Sequence, residues 1–205
     1  MTPDGAPLTY DVWLPIFQFV GFIVAAVWYL RYVDGTILHL KRPGLGTIGW
    51  IVGGFIVLFV ASGAMSVVLS LLDATTAQNK VLVTGQDTPV FLLYMIPVAL
   101  FLVGPGEELL FRGVVQGRLR EAFGVWPGIL LAAAVFGLAH WLALIGTGGG
   151  KVVYVFVAAM LGLVLGTIYE YSKNILVPIV VHGCWNALLF AANWYFIVND
   201  VPMPT

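Results

Sequence analysis

Charge is the scarcest property of this chain. Only 9% of its 205 residues are charged and 60% are hydrophobic, whereas about a quarter of the residues are charged in a typical soluble domain. This composition excludes an ordinary soluble globular fold. Runs of about 20 apolar residues are long enough to cross a bilayer as helices. The short alternating segments of a β-barrel are not present, so the sequence predicts an all-α membrane protein.

Cysteine and clustered basic residues are almost as scarce. The single cysteine, Cys184, excludes an intrachain disulfide and a zinc site built from cysteines. The formal net charge is −1 without a basic stripe, so no nucleic-acid partner is expected. No lysine or arginine precedes Arg31. Because a cleaved signal peptide needs a basic start, we expect residues 12–33 to be a retained helix.

Six long apolar segments predict a polytopic transmembrane helix bundle that forms one membrane domain over residues 1–205. The segments cover about residues 12–33, 46–72, 89–104, 126–145, 152–171 and 175–198. A seventh, short or re-entrant helix is expected at about 106–122, because Pro105 favours a helix start. One kinked span over 89–122 is the alternative to these two separate elements.

The loop charges predict the orientation of the bundle. Basic residues are concentrated in loops of one side, at Arg31, Lys41, Arg42, Arg118, Arg120 and Lys173. Only Lys80 and Lys151 fall on the opposite side. Since loops rich in lysine and arginine stay in the cytoplasm, we expect both termini outside.

The strongest functional signal is a charged cluster inside an apolar stretch, formed by Glu107, Glu108 and Arg112. A charge in the hydrocarbon region costs at least ~2.5 kcal/mol, so such residues usually face the bundle interior and carry function. Glu108 and Arg112 are four residues apart and are expected to pair. Glu107 lies ~100° around the helix and stays available as a base. An interfacial helix start with solvated glutamates is the alternative.

Two further polar pairs interrupt other apolar segments. His140 follows Phe136 by four residues, and Asn186 follows His182 by four. Taken singly, they are explained by a satisfied core histidine or by hydrogen bonds between helices. Taken with the glutamates, they provide a base, imidazoles and an amide donor on three helices, which predicts one buried catalytic site. Cys184 is ~200° around the helix from His182 and is expected to point away.

These residues resemble a known family in three ordered motifs. Glu107-Glu108-x-x-x-Arg112, Phe136-x-x-x-His140 and His182-x-x-x-Asn186 are similar to the motifs of the CPBP intramembrane proteases. That group includes the CAAX prenyl endopeptidases and proteins of bacteriocin processing or immunity. The resemblance covers about residues 90–192, the family-like catalytic core.

The resemblance implies roles for the residues that face the reaction. Glu107, helped by His140, would activate the attacking water. His182 and Asn186 would stabilise the oxyanion.

The resemblance also implies a supporting role for Glu108 and Arg112, which would hold the geometry of the site. Members of the family are described both as metalloproteases and as metal-free glutamate proteases. Neither His-Glu-x-x-His nor its inverse is present, which favours a metal-free site. The alternative is a zinc ion held by Glu107, His140 and His182.

The sequence therefore predicts a multi-pass protein of the plasma membrane that hydrolyses a peptide bond near the cytoplasmic face. Its expected partners are membrane lipid and a peptide or lipidated protein substrate, with CAAX-type processing of a prenylated C-terminus as one possibility. Two alternatives stay open. One is a non-enzymatic membrane scaffold or immunity protein, and the other is a transporter in which the glutamates and histidines relay protons or bind a cation.

Overall fold

Long helices make up nearly all of the computed structural model, which describes residues 8–146 and 148–202. We number the helices α1 to α7 in chain order: α1 Leu8–Tyr32, α2 Leu45–Leu71, α3 Lys80–Asp87, α4 Val90–Phe123, α5 Val125–Ala143, α6 Gly148–Ser172 and α7 Leu176–Val198. All except α3 are long and apolar enough to cross a membrane. The prediction of an all-α polytopic bundle is confirmed.

Helix α4 differs from its prediction. The expected break at Pro105 is absent, and residues 90–123 form one continuous helix of 34 residues. Two π-helical stretches lie within it, Ala99–Val103 and Leu109–Gln116. A proline removes a backbone donor and crowds the preceding turn, and a π turn is a known way to accommodate such a defect without ending the helix. Here the N–H of Gly104 reaches the carbonyl of Ala99, five residues back.

A pair of two-residue strands joins the loops at one end of the bundle. Strands β1 (Gln78–Asn79) and β2 (Leu144–Ile145) are antiparallel, with Asn79 opposite Leu144. We call this the strand end. Neither strand was predicted, because two residues are too short to show a hydrophobic period.

Basic residues from separate loops meet at the other end, which we call the basic face: Lys41, Arg42, Arg118, Arg120 and Lys173. The guanidinium of Arg118 lies 2.9 Å from Asp34. That of Arg120 lies 2.7 Å from the ring of His39 and 3.6 Å from Glu170. These contacts place the loop after α1, the end of α4 and the end of α6 on one side, as the charge pattern predicted.

Candidate active site

The charged cluster of α4 is buried in the bundle. Glu108 is 0% exposed and Arg112 is 2% exposed, and Arg112 Nη1 lies 3.1 Å from Glu108 Oε1. The predicted pair is therefore present. Arg112 Nη2 also donates to the carbonyl of Gly162 on α6, at 3.0 Å. Its guanidinium carbon lies 4.3 Å from the centre of the Phe136 ring, a distance at which the ring face attracts the cation.

His182 joins the two glutamates. Its Nδ1 lies 2.7 Å from Glu108 Oε1, and its Nε2 lies 3.8 Å from Glu107 Oε2. A carboxylate paired with an arginine can only accept, so Nδ1 carries the proton and donates. Nε2 is then directed toward Glu107. The sequence did not indicate this contact, because 74 residues separate His182 from Glu108.

His140 is oriented by its own helix. Its Nδ1 lies 2.8 Å from the carbonyl oxygen of Phe136. A carbonyl only accepts, so Nδ1 carries the proton and Nε2 remains free to accept one. The Phe136 ring packs edge-on against His140 with ring centres 4.7 Å apart, and it contacts His182 at 5.9 Å. Phe136 therefore holds both imidazoles and Arg112 around one aromatic ring.

One cavity of about 210 Å³ brings the predicted reactive groups together. Its lining includes Glu107, His140, His182 and Asn186. Glu108 and Arg112 do not line it and lie behind its wall. The apolar part of the wall comes mainly from α1, α4 and α7, at Phe19, Phe22, Met95, Val103, Phe111, Leu189 and Phe190.

The cavity extends from the middle of the bundle toward the strand end. Besides the reactive groups, it is lined by Asn79 of β1, by Val81 and Leu82 of α3, and by Ala143 at the end of α5. No residue of the basic face contributes to its wall within the described residues.

Two polar side chains that line the cavity, Glu107 and Asn186, have atoms without a partner among the described residues. Glu107 Oε2 is buried without a hydrogen bond to any described residue. The side-chain amide of Asn186 likewise makes no hydrogen bond within residues 8–146 and 148–202. A buried polar atom without a partner is costly, so Glu107 Oε2 is available to a ligand, and the half-buried Asn186 amide lies on the same cavity wall.

Sequence reasoning missed three contributors to the site. Gln116, 1% exposed, donates to the carbonyl of Gly166 at 3.0 Å and repeats the Arg112 contact one turn further on. Tyr154 lines the cavity and accepts from Asn79 at 3.4 Å. Helix α1 supplies part of the wall although it carries no motif. Gln116 was detectable as an amide in an apolar helix, whereas the other two depend on tertiary packing.

Comparison with known proteins relates the core of the chain to one family. Residues 89–188 match the family model described as Type II CAAX prenyl endopeptidase Rce1-like. This match spans all three motifs, from the glutamates on α4 to Asn186 on α7. The core of this chain, residues 89–188, belongs to the CPBP family of intramembrane proteases. The predicted resemblance is confirmed, and the chain is an integral multi-pass membrane protein of a protease family.

Curated relatives extend the likeness beyond this core. The chain is 24% identical over 189 residues to the membrane-embedded CAAX protease MroQ of Staphylococcus aureus (strain USA300), covering 84% of this chain and 71% of the relative. It is 23% identical over 181 residues to YdiL, a candidate membrane peptidase of Bacillus subtilis (strain 168), covering 85% and 68%.

A third relative matches a shorter stretch. The chain is 31% identical over 103 residues to the uncharacterised protein YpbD of Bacillus subtilis (strain 168), covering 48% of this chain and 47% of the relative. No solved structure matches the chain with the statistical significance that these relatives reach.

A zinc ion is the cofactor that a metalloprotease of this CPBP type would need, and the donor set can be tested for it. Three side chains of the kinds that bind zinc must converge on one point. Among the described residues, no group of three His, Cys, Asp or Glu side chains does so. Nδ1 of His182 is bonded to Glu108 and Nδ1 of His140 to a carbonyl. These bonds leave Nε2 of each ring able to bind a metal, as in zinc-bound histidines, so zinc is disfavoured only because the three side chains do not converge. The set Glu107, His140 and His182 does not form a zinc site in this conformation.

Proposed function

We propose that this protein is a glutamate-dependent intramembrane endopeptidase in which Glu107 is the general base. The observation that carries the proposal is the contrast between the neighbouring glutamates. Each has one oxygen without a hydrogen bond to a described residue, but Glu108 is held through Oε1 by Arg112 and His182 and lies behind the wall, whereas Glu107 lines the cavity. A base must be able to accept a proton from water, and only Glu107 combines a free acceptor with access to a cavity.

The proposed reaction begins with a water molecule between Glu107 and His140. Glu107 Oε2 and the free Nε2 of His140 both accept a hydrogen bond from the water and so orient it. Glu107 takes the proton as the water oxygen attacks the peptide carbonyl. The carbon–oxygen double bond opens to an oxyanion. The carbon–oxygen double bond then re-forms as the carbon–nitrogen bond breaks, and the proton held by Glu107 passes to the amine nitrogen, which leaves a carboxyl group and a free amine.

The oxyanion is proposed to rest between Asn186 and His182. The Asn186 amide has donors that no described residue uses. His182 donates from Nε2 only when both ring nitrogens are protonated. Donors aimed at a developing oxyanion in a dry site are worth about 10²–10³ in rate each.

The proposed substrate is a peptide or lipidated protein whose scissile bond enters the cavity with an apolar group beside it. Phe19, Phe22 and Phe190 provide an apolar wall next to Glu107. An attached lipid or hydrophobic side chain gains about 25 cal/mol for each Å² buried there. The family description names a CAAX prenyl endopeptidase, so a prenylated C-terminus is the first substrate to test.

The test is cleavage of matched prenylated and unprenylated CAAX peptides by the purified protein. We expect Glu107→Gln to lower kcat by about 10²–10⁴ without changing thermal unfolding in detergent. The matched control is Glu121→Gln, since Glu121 is 43% exposed on the same helix. Turnover that persists in a folded Glu107→Gln protein would rule out the general base. Loss of cleavage with a zinc chelator, restored by zinc, would favour the metal alternative.

Two predictions made from the sequence conflict with each other once the cavity is placed. The basic loops were expected in the cytoplasm, and cleavage was expected near the cytoplasmic face. The cavity, however, extends toward the strand end and away from the basic face, so the two predictions favour opposite sides of the membrane for the cavity. On the positive-inside rule, we expect the cavity to be reached from outside the cell.

Cysteine labelling decides between the two predictions. In a protein with Cys184 replaced by serine, we expect Gln86→Cys at the strand end to react with an impermeant maleimide in intact cells. Thr36→Cys at the basic face should react only after the membrane is opened. The reverse pattern would place the cavity on the cytoplasmic side and show that the charge rule fails for this chain.

A further inference from the structure

A second cavity lies at the basic face, outside the candidate active site. Its volume is about 250 Å³, and its lining includes Lys41, Arg42, Ser172, Asn174 and the start of α2 from Gly44 to Thr47. We call it the headgroup pocket. No aspartate or glutamate lines it, so its charge is positive.

Several donors in the headgroup pocket lack partners. Asn174 is 2% exposed, and its oxygen accepts from the N–H groups of Lys41 and Leu176, each at 3.3 Å. These two contacts orient the amide and leave Nδ2 without a hydrogen-bond partner among the described residues. A buried amide nitrogen is a donor only, so the unfilled contact requires an acceptor from outside the chain.

The start of α2 adds further donors to the headgroup pocket. The first N–H groups of a helix have no partner within it and carry a partial positive charge. Thr47 N–H bonds to the carbonyl of Gly44 at 2.9 Å, but the N–H groups of Leu45 and Gly46 have no bond to a described residue. The Lys41 ammonium donates to the carbonyl of Ser172 at 3.1 Å and has two further N–H donors. With it and the guanidinium of Arg42, these groups suit a phosphate.

An apolar groove continues from the headgroup pocket along α2. Its volume is about 500 Å³, and it shares Gly46 and Trp50 with the headgroup pocket. The remaining lining is apolar or glycine, at Gly49, Gly53, Gly54, Val57 and Ile168. We call it the glycine groove.

The length of the glycine groove matches one leaflet of a bilayer. From Gly46 to Val57 a helix rises about 16 Å, and half of a hydrocarbon core is about 15 Å. Trp50 lies one turn below the charged residues, where tryptophan is enriched at the membrane interface. A charged pocket at the surface joined to an apolar groove one leaflet deep has the shape of a phospholipid.

We propose that the headgroup pocket and the glycine groove together bind one anionic phospholipid of the leaflet on the basic face. Lys41, Arg42, the Asn174 amide and the start of α2 bind the phosphate, and an acyl chain lies against Gly49 and Gly53. The site shares no lining residue with the candidate active site, and the proposal does not depend on the peptidase activity.

The experiment is native mass spectrometry of the protein released from nanodiscs that contain phosphatidylglycerol and phosphatidylcholine in equal amounts. We expect one retained phosphatidylglycerol. The double variant Lys41→Gln/Arg42→Gln should lower that retention by roughly tenfold or more, since each basic residue near an anionic lipid contributes about 1 kcal/mol. The double variant Lys80→Gln/Lys151→Gln removes the same charge at the strand end and should retain the lipid.

The glycine groove is tested separately with Gly53→Leu, which fills it. A Cβ atom at Gly53 would meet no atom within 4 Å, and the groove beyond it is open, so the fold should persist. We expect loss of the retained lipid, whereas Gly63→Leu, on the same helix and equally open, should keep it. Millimolar inorganic phosphate should not displace the lipid, because phosphate lacks the acyl chain.

Three outcomes would overturn the proposal. These are equal retention of the two lipids, unchanged retention in folded Lys41→Gln/Arg42→Gln, and displacement of the lipid by inorganic phosphate alone. Thermal unfolding of every variant in detergent shows whether it is folded.

Discussion

Helices α2 and α6 use glycine in opposite ways. On α2, a Cβ added at Gly49, Gly53 or Gly63 would meet no atom within 4 Å. On α6, a Cβ at Gly162 would lie 2.8 Å from the Phe136 ring, and one at Gly166 would lie 2.7 Å from Gln116 Oε1. Glycine therefore leaves a groove open toward lipid on α2, whereas on α6 it lets neighbouring side chains approach the backbone.

The difference shows how the candidate active site is supported. The close approach at Gly162 and Gly166 exposes two helix carbonyls to the side chains of α4, which donate to them at 3.0 Å each. Arg112 and Gln116 thereby fix α4 against α6 and orient Glu108. The bonded atoms of Arg112 and Gln116 thus support the fold, whereas Glu107 Oε2 and the Asn186 amide are unbonded and line the cavity.

The largest effect expected from this comparison is that of Arg112→Ala. Removing the guanidinium leaves Glu108 buried without its cation, which costs about 3–5 kcal/mol. We expect loss of activity together with a lower thermal unfolding temperature in detergent. Arg31→Ala, at the exposed end of α1, should change stability by less than about 0.5 kcal/mol. Unchanged stability of Arg112→Ala would mean that the ion pair does not support the fold.

The next largest effect is expected from comparing two asparagines of α7, one without a hydrogen bond and one with. Asn186→Ala should lower kcat by about 10²–10³, because it removes a proposed oxyanion donor, and should leave thermal unfolding unchanged. Asn193 donates to the carbonyl of Leu189 at 2.8 Å on the same helix. Asn193→Ala should therefore leave kcat unchanged. Equal losses of activity in the two variants would contradict a role of Asn186 in the reaction.

A direct comparison of the glycines gives a smaller effect. Gly162→Ala places a methyl group against Phe136 and Arg112, and overpacking of this kind costs about 1–3 kcal/mol. Gly63→Ala meets open space and should be neutral or stabilising by up to about 1 kcal/mol. Thermal unfolding of both variants in one detergent measures the difference. Similar values for the two would show that the contact at Gly162 is not tight.

The smallest effect concerns His39, in the loop that leads into α2 and contacts α6. Its backbone N–H donates to the Tyr169 hydroxyl at 2.9 Å, and its Nε2 faces the Arg120 guanidinium at 2.7 Å. Burial, followed by the positive charges of Arg120 and Lys173, lowers the pKa of His39 below its ordinary value of 6.5, while Glu170 opposes the shift. The positive charge of Lys41 also lowers this pKa, with the smallest effect of these groups.

The sign of this shift sets the dependence of stability on pH. Because the pKa of His39 is lower in the folded chain, the unfolded chain takes up the proton first. The contribution of His39 is complete above pH 6.5 and is lost as the pH falls below that value. His39→Asn cannot titrate, so its unfolding temperature should fall less than that of the wild type between about pH 7.5 and 5. Parallel curves would show that the pKa shift is absent.

The sequence predicted the helices and the motif residues because both depend on local pattern. Long apolar runs locate the spanning helices, and charges inside those runs locate Glu107, Glu108 and Arg112. The contact between His182 and Glu108, the cavity wall from α1 and the position of Tyr154 depend on how distant helices pack. The continuity of α4 through Pro105 was also beyond local rules, which treat glycine and proline as helix boundaries.

The π-helical stretch Leu109–Gln116 lies between the glutamates and the basic face. The number of residues in this stretch therefore sets the rotation of the end of α4 relative to the glutamates. A π turn holds about one residue more than an α turn, and such bulges are frequent at functional sites. Loss of one residue there would return α4 to ordinary winding and rotate everything after it by about 100°. Gln116 and Arg120 would then turn away from Gly166 and His39. Insertions and deletions between Glu108 and Gly117 are thus constrained by two separate contact sets, one at each end of the stretch.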